Sequence, residues 1–182
     1  MNENRIKIPK LQGHSCFACG TKNPIGLNLQ FYRSNESICT DITLSKYHEG
    51  WQNMAHGGII STLLDEIMSW TIIYFKRIFF VTRRMEIKYI RPVLIGVPLT
   101  VEGHLTGEKR EPIIGALAEI FDGERQLLAK ATGEFVKLAE DKMVLVPEGL
   151  KEDMVNLFNK FRKGGGENKL AGEGVAPSRG RA

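Results

Sequence analysis

Alternating hydrophobic and polar positions predict that most of this chain forms β-strands. The alternation has the period of two that places successive side chains on opposite faces of a strand. It predicts six strands, at residues 25–32, 37–44, 79–91, 99–106, 113–121 and 126–138. Between the second and the third strand the period becomes helical, from Gly57 to about Lys76. One long helix among antiparallel strands predicts an α+β fold in which a curved sheet wraps around the helix and buries it.

The predicted domain covers residues 25–138, and the chain differs in character on either side of it. Residues 1–24 are punctuated by proline and glycine and are expected to be an irregular lead-in. Residues 139–163 are expected to form a connector and a short amphipathic helix. Residues 164–182 are rich in glycine and lack aromatic residues, so a disordered tail is expected there.

Composition and charge exclude several classes of protein. The 182 residues are 42% hydrophobic and 25% charged, which is enough for a core without metals or disulfides. The net charge of +4 is scattered along the chain, so no nucleic-acid partner is expected. The apolar stretch 59–80 contains four charged residues and the N-terminus lacks an apolar signal region, so no membrane partner is expected. With only three cysteines, the protein is expected in the reducing cytoplasm.

Small basic clusters suit a few phosphates better than a long polyanion. Arg91, Lys109 and Arg110 end or link the predicted strands and are candidate contacts for the phosphates of a nucleotide-bearing ligand. A solvated strand face is the competing interpretation.

Two glycines, Gly57 and Gly58, open the long helix although glycine is a poor helix former. One explanation is the conformation that starts the helix. The other is close approach of a ligand to free backbone N–H groups, where the helix dipole would stabilise an oxyanion. Asp65 follows two turns later. It belongs either to a solvent-exposed polar face of the helix together with Glu66, or to a cleft, where it would act as nucleophile or general base.

Three motifs in a fixed order resemble the hotdog-fold thioesterase superfamily. They are the lead-in CFACG with NPIGL, the run HGGIISTLLDE, and YIRPV on a later strand. The set is similar to the phenylacetate-pathway branch and covers roughly residues 14–138. The resemblance implies an acyl-CoA thioesterase that releases free acid and CoA without a cofactor.

The resemblance also implies roles for individual residues. Asp65 would be the catalytic carboxylate and the Gly58 N–H the oxyanion donor. His56 would shape the loop and hydrogen-bond the thioester, and Thr82 would position water. The expected substrate-binding residues are Asn53, Gly57, Arg91, Lys109 and Arg110.

The spacing of these groups predicts a homodimer with shared active sites. Gly58 and Asp65 lie about 10 Å apart along one helix, too far to act on one thioester. Two antiparallel helices related by a two-fold axis would bring each group opposite the other. The resemblance implies the same dimer, in some relatives paired into a tetramer.

His14, Cys16 and Cys19 raise the question of a metal or redox site in the lead-in. Structural zinc takes four ligands from spaced pairs, and the sequence offers no second pair. A redox CxxC is the other chemical reading. A plain structural loop is expected, with no metal.

Two other functions fit the same motifs. A hotdog hydratase or dehydratase would need a histidine and an acid together, which His56 and Asp65 supply only in part. A non-catalytic acyl-CoA-binding sensor would normally carry a DNA-binding module, and residues before Ile25 cannot form a helix-turn-helix.

Overall fold

A computed structural model describes residues 5–107 and 111–164. Its main sheet is antiparallel, and its seven strands are β1 (Ile6–Lys7), β2 (Tyr32–Ser34), β3 (Ser37–Thr43), β6 (Phe80–Tyr89), β7 (Pro98–Leu105), β8 (Ile113–Asp122) and β9 (Leu127–Lys137). Their order across the sheet is β1-β2-β3-β7-β8-β9-β6. A separate hairpin consists of β4 (Glu49–Trp51) and β5 (Met54–Ala55).

One helix, α1 (Gly57–Lys76), packs against the sheet and forms the centre of the core. Its period of 3.6 residues buries one face, with Leu63, Leu64, Ile67, Met68 and Ile72 fully enclosed. The expected α+β hotdog architecture is therefore confirmed, with seven strands in the sheet where about six were predicted.

Two sheet glycines allow α1 to lie close to the strands. A Cβ at Gly103 on β7 would stand 2.9 Å from the Ile67 carbonyl oxygen, and one at Gly133 on β9 would stand 3.0 Å from Met68 Sδ. Both distances are below ordinary van der Waals contact, so any side chain there would push the helix away from the sheet. These glycines fix the spacing of the layers that carry the site.

By length and composition alone α1 would also qualify as a membrane-spanning helix, contrary to the expectation from its charged residues. Core helices of folded domains pass the same test. Eight of its side chains are buried inside the fold, which accounts for its apolar character.

The strand predicted at residues 25–32 is wrong for most of its length. Regular pairing begins only at Tyr32, in β2. Asn28 has a left-handed φ of 48°, which interrupts extended backbone. The N–H groups of Leu27 and Leu29 donate instead to carbonyls of the lead-in, at 2.8 and 3.0 Å. The alternation of hydrophobic and polar residues still reports burial, because Leu29 and Phe31 lie in the core although their backbone is not in a strand.

The chain after β9 closes one end of the core. A 3-10 turn (Glu140–Leu145) leads to α2 (Glu148–Gly164). The rings of Phe161 on α2 and Tyr74 on α1 lie 4.9 Å apart between centroids, and Leu157 and Phe158 are buried beside them. The predicted tail lies outside the described residues from position 165 onward.

Candidate active site

His56 caps the N-terminus of α1 with its side chain. Its Nδ1 accepts a hydrogen bond of 2.9 Å from the Gly58 N–H. An accepting Nδ1 carries no proton, so in the neutral ring the proton is on Nε2, which can donate to a ligand. The Gly58 N–H, expected to be the oxyanion donor, is thus already engaged within the protein.

The free donor at this end of α1 is the preceding amide. The first N–H groups of a helix have no acceptor within the helix. Within residues 5–107 and 111–164, no acceptor is found for the Gly57 N–H. Gly57, expected only to bind substrate, therefore presents the unoccupied N–H at the positive end of the helix dipole.

Asp65 and Thr82 form a pair on the side of α1 that faces β6. Thr82 Oγ1 donates to Asp65 Oδ1 at 3.0 Å. Burial raises the pKa of the Asp65 carboxyl, and the hydrogen bond from Thr82 acts in the opposite direction. The two residues, predicted separately from the sequence, are brought together by the fold.

A bulge in β6 determines which of its side chains face the helix. Thr82 and Tyr89 are an odd number of residues apart, so plain alternation would place them on opposite faces. The register against β9 shifts between Thr82 and Arg84, and this bulge places Thr82 and Tyr89 on the same face of β6, toward the helix. Tyr89 Oη donates to the Gly57 carbonyl at 3.3 Å and lies 3.0 Å from Ser61 Oγ. Sequence reasoning missed Tyr89, since the bulge is invisible in the alternation.

An open groove of about 450 Å³ lies at the N-terminus of α1. Its walls are formed by Trp51, Met54, Ala55, Gly57, Ile60, Tyr89, Ile90, Arg91, Pro92 and Val93. Trp51 is 80% exposed, which is unusual for so large an apolar side chain. The groove is therefore apolar, with one cation, Arg91, in its wall.

The other predicted substrate-binding residues are placed differently. Arg91 Nη1 donates to the Leu127 carbonyl at 2.8 Å, which fixes the arginine beside the groove. Asn53 lies in the β4–β5 turn with φ of 62°, and its carbonyl accepts from the Ile95 N–H at 3.0 Å. Asn53 therefore shapes the hairpin and does not line the groove. Lys109 and Arg110 lie outside the described residues.

Glu66, next to Asp65, faces another part of the molecule. Burial raises the pKa of Glu66 to about 7. Its carboxylate accepts a 2.9 Å hydrogen bond from Trp70 Nε1 and lies beside the cysteines of the lead-in. The larger pKa shift alone would favour Glu66 over Asp65 as the reactive acid. Glu66, however, points toward the lead-in and away from Thr82, so Asp65 is the better candidate.

Within one protomer the two halves of the site are separated. Gly57 and Asp65 are eight residues apart on α1, which is about 12 Å along the axis. The free N–H and the carboxylate therefore cannot contact the same carbonyl group in one chain.

Comparison with known proteins agrees with this architecture. Residues 52–111 match the thioesterase superfamily. A thioesterase superfamily protein has a TM-score of 0.63 and 23% identity over 66% of this chain, which spans only 62% of that structure's length. A Streptococcus mutans protein bound to acetyl-CoA has a TM-score of 0.57 and 19% identity over 65% of this chain and 95% of its own. The Escherichia coli PaaI protein of the phenylacetic acid degradation operon has a TM-score of 0.55 and 17% identity over 60% of this chain and 83% of its own.

No curated protein sequence matches this chain. At these identities the structural likeness establishes the fold, and the superfamily match covers the segment that contains the N-terminus of α1, Asp65 and Thr82. The matched segment and the shared fold agree with the resemblance to the hotdog thioesterase superfamily that the motifs carry.

Proposed function

We propose that this hotdog-fold chain of the thioesterase superfamily hydrolyses an acyl-CoA thioester to free acid and CoA. The observation that carries the proposal is the division of α1 into a free N–H at Gly57 and a half-buried carboxylate at Asp65 held by Thr82. Acetyl-CoA bound to the Streptococcus mutans neighbour supports a CoA ester as the ligand.

The N-terminus of α1 activates the carbonyl. The Gly57 N–H and the His56 Nε2–H donate to the thioester oxygen, and the helix dipole stabilises the negative charge that develops on it. Gly58 keeps the His56 ring in place by donating to Nδ1. The acyl group or the pantetheine arm occupies the apolar groove, and Arg91 contacts a phosphate of CoA.

Asp65 supplies the attacking group. As a general base it takes a proton from water while the water oxygen bonds to the thioester carbon. Collapse of the tetrahedral intermediate breaks the carbon–sulfur bond, and the proton passes from Asp65 to the CoA sulfur. In the alternative, the carboxylate attacks directly and water hydrolyses the resulting anhydride. Label found in Asp65 after one turnover in ¹⁸O-water would identify the anhydride route, because only attack of water on the Asp65 carbonyl of the anhydride places ¹⁸O there.

We further propose that two chains share each site, across β6. This strand is ten residues long and is an edge of the sheet, where among residues 5–107 and 111–164 it pairs with β9 alone. Its neighbourhood exposes apolar side chains, with Val81 at 51% and Tyr89 at 55%. An exposed, regular edge invites pairing with a second strand. Antiparallel pairing about a two-fold axis at Glu86, with Arg83 bulged out of the register, sets Thr82 opposite Tyr89 of the partner subunit.

That register completes the site. Thr82 contacts Asp65 and Tyr89 contacts Gly57 in each chain. Pairing Thr82 with Tyr89 of the partner subunit therefore directs Asp65 toward the helix N-terminus of the other chain. Two equal sites follow from the symmetry. Further pairing of dimers into a tetramer, and residence in the cytoplasm, belong to the same proposal.

A panel of short, long and aromatic acyl-CoA esters tests the reaction. Release of free thiol with at least one ester is the expected result. An enoyl-CoA included in the panel should be hydrolysed or left intact. Hydration of its double bond without thiol release would point to a hydratase. Tight binding of every ester without turnover would point to a sensor.

A further inference from the structure

Three metal-binding side chains meet on a face of α1 next to the one that carries Asp65 and contacts Thr82. They are Cys16 and Cys19 of the lead-in and Glu66 of the helix, and one donor atom from each lies within 4.8 Å of the others. Cys19 is buried, while Cys16 and Glu66 are partly buried. None of the three takes part in the reaction proposed above, so the cluster requires its own explanation.

The backbone of the lead-in holds both sulfur atoms on one side of a tight turn. The Gly20 N–H donates to the Cys16 carbonyl at 2.9 Å, and a Cβ at Gly20 would collide with that carbonyl oxygen. Lys10 Nζ donates to the Cys19 carbonyl at 2.9 Å. Within this turn the Cys16 and Cys19 thiols lie close enough to hydrogen-bond each other, and the Cys19 thiol also reaches Glu66. Thiols this close can bind one ion when they release their protons.

The carboxylate is also held in place. Trp70 Nε1 donates to Glu66 Oε1 at 2.9 Å. The same carboxylate interacts with the Cys19 thiol, so it faces the cysteines, and its two oxygens have lone pairs to spare for a ligand. A hydrogen bond that orients a ligating carboxylate is typical of metal sites.

A fourth donor stands next to the cluster along the chain. His14 precedes Cys16 by two residues, and its Nε2 is buried without a hydrogen-bond partner in the described part of the chain. A buried ring nitrogen without a partner is costly and calls for an explanation.

We propose that His14, Cys16, Cys19 and Glu66 bind a zinc ion that joins the lead-in to the middle of α1. Two thiolates, an imidazole and a carboxylate form a set of four that suits tetrahedral zinc. A plain loop was expected because the sequence contains no second pair of cysteines. The fold supplies the missing ligand from the helix, 47 residues after Cys19.

The competing explanation is a disulfide between Cys16 and Cys19. A disulfide would leave the Glu66 carboxylate beside the sulfur atoms and His14 Nε2 without a partner. Zinc accounts for the two sulfur atoms and the Glu66 carboxylate together, and rotation of the nearby His14 side chain would add its unpartnered ring nitrogen as the fourth ligand. The site would be structural, since four protein ligands leave no open position for substrate.

The test uses the full chain, reduced and then stripped of metal with a chelator. Titration with Zn²⁺ should give one ion per chain, and Co²⁺ should produce the visible absorption of tetrahedral cobalt with thiolate ligands. Cys16→Ser and Glu66→Gln should each weaken Co²⁺ binding by at least about 100-fold, more than loss of an outer contact costs. Cys39→Ser is the matched control, because Cys39 is a buried cysteine on β3 away from the cluster.

Trp70→Phe tests the same site without removing a ligand, in case the ligand variants do not fold. Loss of the bond to Glu66 should weaken metal binding by about 10- to 100-fold. Three results would overturn the proposal. They are no metal bound by the reduced wild-type chain, an unchanged Co²⁺ affinity in both Glu66→Gln and Trp70→Phe, and recovery of Cys16 and Cys19 as a disulfide from protein purified under reducing conditions.

Discussion

The Asp65 carboxyl group has opposing effects on catalysis and on stability. Its proposed role requires the ionised form, and burial favours the protonated form. The neighbouring Thr82 hydroxyl compensates in part by donating to the carboxylate. The sequence identified both residues, but it could not show that they touch, because their contact depends on how β6 lies against α1.

Asp65→Asn should lower turnover by roughly 10²-fold or more, the scale of general acid–base catalysis. It should also raise the free energy of unfolding at neutral pH. The folded-state pKa of Asp65 is raised, so its stabilising contribution is present at low pH and is lost as pH rises through that pKa. Neutral asparagine avoids this loss. Thiol release and urea denaturation measure the two effects, with Glu36→Gln in the exposed turn between β2 and β3 as control. Full turnover in Asp65→Asn would exclude the residue from the mechanism.

Thr82→Val should shift the acid limb of the pH profile of kcat/KM to higher pH. The Thr82 hydroxyl lowers the pKa of Asp65, so removing it raises that pKa. The active, ionised form of Asp65 is then reached only at higher pH. The profile should stay in place in Thr132→Val, which changes a threonine on β9 that has no contact with Asp65. An acid limb that does not move in Thr82→Val would show that another group titrates there.

At the scale of elements, regular periods were predictable and irregularities were not. The bounds of α1 follow from the period of its apolar residues and from the glycines at its start. The β6 bulge arises from pairing with β9, which no local pattern reveals. Residues 25–31 alternate like a strand because Leu29 and Phe31 are buried, yet their backbone bonds to the lead-in. Likewise Cys16 and Cys19 were visible in the sequence, while Glu66 joins them only through the packing of α1.

The N-terminus of α1 allows capping and catalysis to be separated. His56→Asn keeps a side-chain acceptor for the helix N–H groups and should leave the free energy of unfolding nearly unchanged. His56→Ala removes the cap and should cost about 1 kcal/mol. Both variants lose the Nε2–H donor, so both should lower kcat. Thermal unfolding and thiol release on the same samples check this. A fully active His56→Asn enzyme would restrict His56 to capping.

At the scale of the whole molecule, β6 is the surface on which the proposed dimer depends. A single chain places the donor and the carboxylate about 12 Å apart, and only a second chain can bring the complementary group to each. The symmetry of β6 about Glu86 follows from its contacts to Asp65 and Gly57 and from the bulge after Thr82. The dimer itself was inferred from the sequence, but its register required the structure.

Glu86→Cys tests the register of the β6 pairing. Glu86 lies on the outer face of β6 next to the proposed two-fold axis, where a cysteine would approach its symmetry mate closely enough for a disulfide. Mild oxidation should convert this variant to covalent dimers. Lys130→Cys, placed opposite Lys88 on the inner neighbour β9, should remain monomeric on a non-reducing gel. Equal cross-linking of the two variants would contradict the register.

Mixed dimers test whether the active site is shared. Asp65→Asn removes the carboxylate, and Gly57→Leu should block the groove, because a Cβ at Gly57 already stands 3.5 Å from the Tyr89 hydroxyl. Each variant alone should be inactive. In a heterodimer both lesions fall in one composite site and the other site is intact. A re-associated equimolar mixture should therefore regain about a quarter of wild-type activity, since half of the dimers are mixed and each has one working site. If the mixture stays inactive while wild-type protein recovers from the same treatment, each chain carries its own complete site.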